Sequence, residues 1–236
     1  MILNNTRKLS LVITNYNRCD LTLKCFENVL DDDWVSEIVI VDDCSEIEIY
    51  NKLSEAVSDM PKVKLFRNEV NLDCYANKAK AVSLADNEYV IIMDSDNIIT
   101  KDYISKIYGQ MWMEDTILAP VWAFPVFDYR LFSGLYVNRQ NVSEFMELQM
   151  FATALNTCNY FVHRDTYLKC FDPTIDPHSS DSIFMNLQWL KNEGRIYFVP
   201  ELTYDHLVHN ESHYKANCHK SPEFYQKIEQ ELINMK

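Results

Sequence analysis

Two carboxylates one residue apart, Asp94 and Asp96, stand at the end of the apolar run Tyr89-Val-Ile-Ile-Met93. A pair so placed can approach one hard cation, with water and phosphate oxygens completing the coordination shell. Such an oxygen-rich donor set suits Mg²⁺ or Mn²⁺. Taken alone, an Asp-x-Asp triplet is more often a turn or a helix cap. Here it has company. A second acidic pair, Asp42-Asp43, ends the run Glu37-Ile-Val-Ile-Val41, and the polar cluster Thr14-Asn-Tyr-Asn17 follows Leu9-Ser-Leu-Val-Ile13.

These runs must be strands for the three clusters to meet. Each is short, rich in β-branched residues and followed by helical periodicity. The reading gives strands over 9–14, 37–41, 62–66 and 89–93, with helices over 20–30, 47–57, 75–85 and 101–110 between and after them. Asp20 is the expected N-cap of the first helix. Strands alternating with helices at this spacing predict a largely parallel α/β sheet covered on both faces. Ligands of such sheets bind beyond the carboxyl ends of the strands. All three polar clusters lie at those ends, so they are expected to converge on one pocket.

Beyond residue 111 the pattern loosens. Residues 118–137 are rich in aromatic side chains, and 156–163 is expected to form a strand. A helix over 181–192 is expected to take Gly194 as its C-cap. Arg195-Ile-Tyr-Phe-Val199 reads as a last strand, and Ser221-Pro222 opens a final amphipathic helix with serine as N-cap.

Composition narrows the function. The chain has 236 residues, 47% of them hydrophobic, and a formal net charge of −13, which argues against non-specific nucleic-acid binding. Its three glycines are too scattered to write a glycine-rich phosphate loop. An acidic protein that binds an anionic nucleotide needs a cation between the like charges. The seven cysteines form no C-x-x-C pair and read as thiols of a reducing cytosol. The sequence shows neither a signal core at its start nor an apolar run long enough for a transmembrane helix, so the expectation is a cytoplasmic protein with peripheral membrane contact left open.

Three stretches now read together: Leu11-Val-Ile-Thr-Asn-Tyr-Asn-Arg18, Ile38-Val-Ile-Val-Asp-Asp-Cys-Ser45 and Glu88-Tyr-Val-Ile-Ile-Met-Asp-Ser-Asp96. In this order and spacing they resemble the N-terminal half of family 2 glycosyltransferases, inverting enzymes with the Rossmann-like GT-A fold. The resemblance is specific over 9–110 and weaker over 150–210. It implies one GT-A domain, with a nucleotide-binding half over 1–110 and an acceptor-binding half with a C-terminal helical extension over 111–236.

Carried over residue by residue, the resemblance places Thr14, Tyr16, Asn17, Asp42 and Asp43 around the nucleotide, with Asp94 facing ribose or metal and Asp96 on the metal. Lys78 takes a position where the family often has arginine, and there it would face a phosphate as a point charge. The family's general base is a carboxylate at a helix start after a Phe-Asp turn. Phe171-Asp172 and Ser180-Asp181-Ser182 match, which nominates Asp181, with Asp176 as competitor and a plain helix cap as the alternative. A histidine after the last strand completes the metal site in some GT-A enzymes. His206 is the candidate, with His209, His213 and His219 nearby, while Lys215, His219 and Lys220 are candidates to cover the diphosphate.

Two departures stand out. Cys44 replaces the glycine usual after the Asp pair, so that turn must avoid positive φ or tolerate strain. Asp73 also sits where glycine is common. The implied reaction moves a sugar from a nucleotide diphosphate sugar, a UDP-sugar by resemblance, to a hydroxyl of a glycan or of a lipid- or protein-linked glycan, with Mn²⁺ or Mg²⁺. Two other readings stay open. One is a nucleotide-binding module without turnover, since Ser180 replaces the first residue of the usual Glu-Asp pair. The other is a sugar nucleotidyltransferase, which would normally carry the glycine-rich basic loop missing here.

Overall fold

The protein is described by a computed structural model covering residues 7–207 and 222–235. Four strands form the regular half of the main sheet: β1 (Leu9–Asn15), β2 (Val35–Asp42), β3 (Val63–Arg67) and β4 (Tyr89–Asp94). They lie side by side in the order β3-β2-β1-β4, all parallel. Helices α1 (Cys19–Phe26), α2 (Ile47–Val57) and α3 (Asp73–Ser83) connect them. With helices over both faces, both sets of side chains are buried, which is why β1, β2 and β4 read as continuous apolar runs. Leu11, Ile13, Ile38, Val39, Ile40, Val90 and Ile91 are all at 0% exposure. Each such aliphatic side chain stabilises the fold by about 1.5–3 kcal/mol through burial.

Register decides where the polar clusters fall. Asn15 on β1 pairs with Asp42 on β2, and Thr14 pairs with Asp94 on β4. The three strands therefore end level, and the convergence expected from the sequence is present in the backbone itself. The first helix begins one residue earlier than expected, at Cys19. Its N-cap is Arg18, with no side-chain cap bond. Asp20 instead pairs with Lys52 at 2.7 Å, both side chains being exposed.

The second half of the sheet is irregular. After β5 (Asn97–Ile98) and α4 (Lys101–Tyr108) come β6 (Thr116–Ala119), β7 (Trp122–Phe124), β8 (Phe127–Asp128) and β9 (Tyr136–Val137). Short helices α5 (Val142–Phe145) and α6 (Phe151–Leu155) precede β10 (Phe161–His163), α7 (Arg164–Cys170), α8 (Asp181–Lys191), β11 (Arg195–Phe198) and β12 (Thr203–His206). The helix α9 (Pro222–Ile233) closes the described chain. The eight-stranded sheet runs β3-β2-β1-β4-β10-β6-β11-β9, with β10 antiparallel to both its neighbours. A second sheet of order β5-β12-β7-β8 stands beside it. This is the mixed, mostly parallel α/β architecture expected from the strand-helix alternation.

Two expectations change in this half. The strand foreseen over 156–163 is confined to Phe161–His163, because residues 156–159 turn their side chains to polar work described below. Gly194 is not the left-handed cap of α8. Glu193 holds the positive φ of 61°. Gly194 is required for space instead, since a Cβ there would meet Trp189 Nε1 at 2.3 Å. The Trp189 indole N–H donates to the Arg195 carbonyl at 3.0 Å, which locks the ring over the glycine.

Candidate active site

A cavity of about 670 Å³ opens at the carboxyl ends of β1 and β4. Thr14, Tyr16, Asp43, Lys78, Asp94, Asp96, Asp181 and His206 all line it. Residues from sequence positions nearly two hundred apart are thus gathered in one chamber.

Asp42 and Asn17, both expected at the nucleotide, are not in the wall. Asp42 is at 0% exposure beneath the floor, where Asn15 Nδ2 donates to it at 2.7 Å and Ser45 N at 3.0 Å. Its pairing with Arg67 at 3.5 Å completes a bracket between β1, β2 and β3. Asn17 points the same way, its Oδ1 accepting from Glu46 N at 2.8 Å. Their polar atoms are used in fixing the two loops that carry Tyr16 and Asp43.

Asp43 accepts from Leu72 N at 2.8 Å and from Asn68 Nδ2 at 2.7 Å while lining the cavity. Burial raises its pKa above the ordinary carboxylate value, against the opposing effect of those two donors. The Cys44 turn that follows takes the strained solution: Cys44 has φ 62° and Asp73 has φ 63°. Both stand in the left-handed region, which glycine occupies at least cost.

The centre of the cavity is a charge cluster. Lys78 Nζ lies 2.7 Å from Asp181 Oδ2 and 3.1 Å from Asp94 Oδ1. Cys158 Sγ donates to Asp94 Oδ2 at 3.2 Å. Burial alone would push the Asp94 pKa up, but the Lys78 ammonium and these donors hold it below the usual range. Burial would likewise lower Lys78, and the Asp181 and Asp94 carboxylates hold it well above its ordinary value instead. Asp96 is engaged by Arg18, whose Nη1 is 2.9 Å from Oδ2.

His206 reaches the site through sheet pairing. β12 runs antiparallel to β5, which sets His206 opposite Asn97, and the side chains meet at 2.8 Å between Nδ1 and Oδ1. Asp94, Asp96 and His206 all line the cavity, and the two carboxylates match the oxygen preference of Mn²⁺ or Mg²⁺. Among the described residues, however, the one group of three such side chains with ligand atoms all within 4.8 Å is Asp73, Asp176 and His178. The donors of Asp94, Asp96 and His206 fit a metal in kind, and in this conformation they are spread around the cavity. Asp176, the competitor for the base, does not line it. His209, His213, Lys215, His219, Lys220 and Ser221 lie outside the described residues.

Sequence reasoning missed a hub. Asn159 Oδ1 accepts from Asp94 N at 2.8 Å and from Asn97 Nδ2 at 3.2 Å, while its Nδ2 donates to Tyr204 OH at 3.2 Å. This buried amide joins β4, β5 and β12. The one available signal was the polar interruption Asn156-Thr-Cys-Asn159 in an apolar neighbourhood. Arg18 was visible in the Tyr-Asn-Arg turn but had no assigned partner. At the Phe171-Asp172 turn, Asp172 N donates to Tyr75 OH at 3.1 Å, and the Phe171 ring packs on Tyr75 at 4.8 Å between centroids.

Comparison with known proteins follows the same residues. The family model described as "Glycosyl transferase family 2" matches residues 10–158, well over half of the chain. The chain belongs to glycosyl transferase family 2. WcaA of Escherichia coli (strain K12), named as a colanic acid biosynthesis glycosyl transferase, is 30% identical over 105 residues, 44% of this chain and 37% of its own. Glycosyltransferase GlyG of Streptococcus pneumoniae serotype 4 is 27% identical over 108 residues, 45% of this chain and 36% of its own. The family 2 chain thus matches little more than a third of the length of these curated relatives.

Among solved structures, residues 1–349 of S. aureus TarS in complex with UDP-GlcNAc match with a TM-score of 0.68 at 18% identity, over 94% of this chain and 64% of that one. The mannosyltransferase PcManGT of Pyrobaculum calidifontis, in complex with GDP-Man and Mn²⁺, gives 0.63 at 13% identity, over 98% and 70% of the two chains. At such identities the likeness establishes the shared GT-A fold. No helix among the described residues is long and apolar enough to cross a membrane.

Proposed function

We propose that this chain carries a GT-A domain that transfers a sugar from a nucleotide diphosphate sugar, a UDP-sugar, to a hydroxyl of a glycan or glycolipid with inversion. One observation carries the reading: Lys78 ties Asp181 to Asp94, so the nominated base and the Asp-x-Asp segment face the same cavity from different halves of the chain. TarS with UDP-GlcNAc and PcManGT with GDP-Man and Mn²⁺ support a nucleotide sugar in that cavity.

The charge of the cavity supports a metal. Among the described residues, five carboxylates (Asp43, Asp73, Asp94, Asp96 and Asp181) and two permanent cations line it, and both cations are engaged by carboxylates. A diphosphate entering such a chamber needs added positive charge. Asp94, Asp96 and His206 would hold Mn²⁺ or Mg²⁺, whose role when bound is to neutralise the negative charge of the departing diphosphate. Tyr16 and Thr14 border the nucleotide, with Asp43 offering acceptor oxygens to base N–H or ribose O–H groups.

Asp181 takes the proton of the attacking hydroxyl. It opens α8, and Lys78 fixes its carboxylate at 2.7 Å. Ser180 makes no side-chain cap bond to α8, which leaves this acidic position facing the cavity rather than serving a cap pair. The free thiols of the described cysteines agree with a cytoplasmic site of action.

The test is turnover. A panel of UDP-, GDP- and dTDP-sugars with simple glycoside acceptors and Mn²⁺ should release the nucleoside diphosphate of one donor class. The glycoside product should carry the anomeric configuration opposite to that of the donor, read by NMR. A product of retained configuration would reject the single-displacement role of Asp181, and nucleotide binding without product would favour the module without turnover.

A further inference from the structure

The pair between Arg18 and Asp96 is oddly placed for a structural ion pair. It lies in the cavity wall, with side chains 14% and 13% exposed, on the carboxylate that the proposed chemistry assigns to the metal. A divalent cation on Asp96 would draw off the carboxylate charge that holds the guanidinium and would set two cations close together. Arg18 is then held less firmly at Asp96 than in the metal-free pair.

The surroundings determine what can move. The backbone of Arg18 is pinned: its N–H donates to Asn15 Oδ1 at 3.2 Å, and its carbonyl accepts from Thr22 N at 2.8 Å. Its long side chain is the adjustable part. Lys78, the other cation among the described residues that line the cavity, is buried between two carboxylates and is poorly placed to leave them. The fork of an arginine matches the oxygens of a phosphate in two parallel hydrogen bonds, which a lysine cannot reproduce. Arg18, Asp94 and Asp96 all line the cavity, so a diphosphate held there would share that chamber with the guanidinium.

We infer that Arg18 exchanges partners when the donor loads: it neutralises Asp96 before binding and passes to the donor's diphosphate as the metal takes the carboxylate. The inference rests on the metal-and-diphosphate reading of the cavity and adds a residue to it. No bond is made or broken in the exchange. It gives Arg18 opposite effects on the two ligands, which a residue of purely structural importance would not have.

Calorimetry with wild type, Arg18→Gln and Arg18→Lys separates these effects, with thermal unfolding followed in parallel. With Mn²⁺ alone, Arg18→Gln should bind about tenfold more tightly, because a largely buried competitor has been removed. With UDP at saturating Mn²⁺, the same variant should bind about tenfold more weakly, the equivalent of one charge-assisted contact. Arg18→Lys keeps the charge without the fork and should fall between the two, and it serves as the probe if the glutamine variant does not fold. Unchanged or weaker Mn²⁺ binding in the variants would overturn the exchange, as would unchanged UDP binding. Failure of the wild type itself to bind UDP at saturating Mn²⁺ would overturn the donor-site reading, while the arm with Mn²⁺ alone still judges whether Arg18 competes for Asp96.

Discussion

The two halves of this protein place their functional residues by different means. Over residues 9–98 the backbone does it: four parallel strands in register bring Thr14 beside Asp94 and Asn15 beside Asp42. Over 111–206 the strands are two to four residues long, and side chains do it. Asn159 joins three elements through its amide, and Asp181 is held by a lysine from the other half. A ladder of backbone hydrogen bonds tolerates changes of side chain, whereas an amide hub or a buried ion triad depends on particular atoms. The first half should therefore be robust in geometry, and the second should carry the more fragile positions.

The largest expected effect separates chemistry from binding across that divide. Asp181→Asn should lower the transfer rate by about 10²–10⁴-fold, the usual contribution of a positioned base. Its affinity for the nucleotide, proposed to rest on the first half, should change little. Equal losses in rate and in nucleotide affinity would place Asp181 in the donor site instead of at the acceptor.

Next comes the residue that links the halves. Lys78→Met leaves the buried Asp181 and the partly exposed Asp94 without their cation and should cost up to about 3–5 kcal/mol of stability in urea unfolding. The sign with pH follows from the shifts. The Lys78 pKa is raised above 10.5, so its contribution is full below that value and fades as pH rises through its folded-state pKa. Asp94 is held below 3.8, so its contribution is present above that value and fades as pH falls. The difference between wild type and variant should be widest between about pH 5 and 9 and should shrink in acid as Asp94 protonates. A difference that stays constant down to pH 3 would mean that packing, not charge, is what Lys78 provides.

Smaller effects sharpen the comparison within each half. Gly194→Ala forces a Cβ against the Trp189 ring, and the second half should lose about 1–3 kcal/mol from overpacking. In the first half, Cys44→Gly relieves a left-handed turn at φ 62° and should gain up to about 1 kcal/mol. Chemical denaturation of both variants checks the pair; a destabilised Cys44→Gly would show that the contact of its thiol with the Glu69 carbonyl at 3.5 Å outweighs the strain.

The same difference explains what the sequence made legible. Strand periodicity and the polar residues that end each strand predict the meeting of Thr14, Asp43 and Asp94, because backbone order alone brings them together. Asp42 shows the limit of that logic. It shares the strand end with Asp43, but the alternation of side chains along the chain turns it into the floor, where it is bonded to Asn15 and Ser45. Asn159 and Cys158 were hidden, since nothing in periodicity says which side chain an amide or thiol will meet. Gly194 was read as a C-cap, whereas the structure needs it for its lack of bulk beside Trp189 and gives the positive φ to Glu193. His206 was reachable only through the family resemblance, and the pairing of β12 with β5 supplies the reason for its position.

The most direct measurement is calorimetric titration of UDP into wild type, Asp96→Ala and Asp181→Asn, with and without Mn²⁺. A metal-assisted donor site at the ends of β1 and β4 requires that wild type bind UDP far better with Mn²⁺, that Asp96→Ala lose this gain, and that Asp181→Asn keep it. UDP binding that ignores both the metal and the Asp96 substitution would contradict the assignment of this cavity.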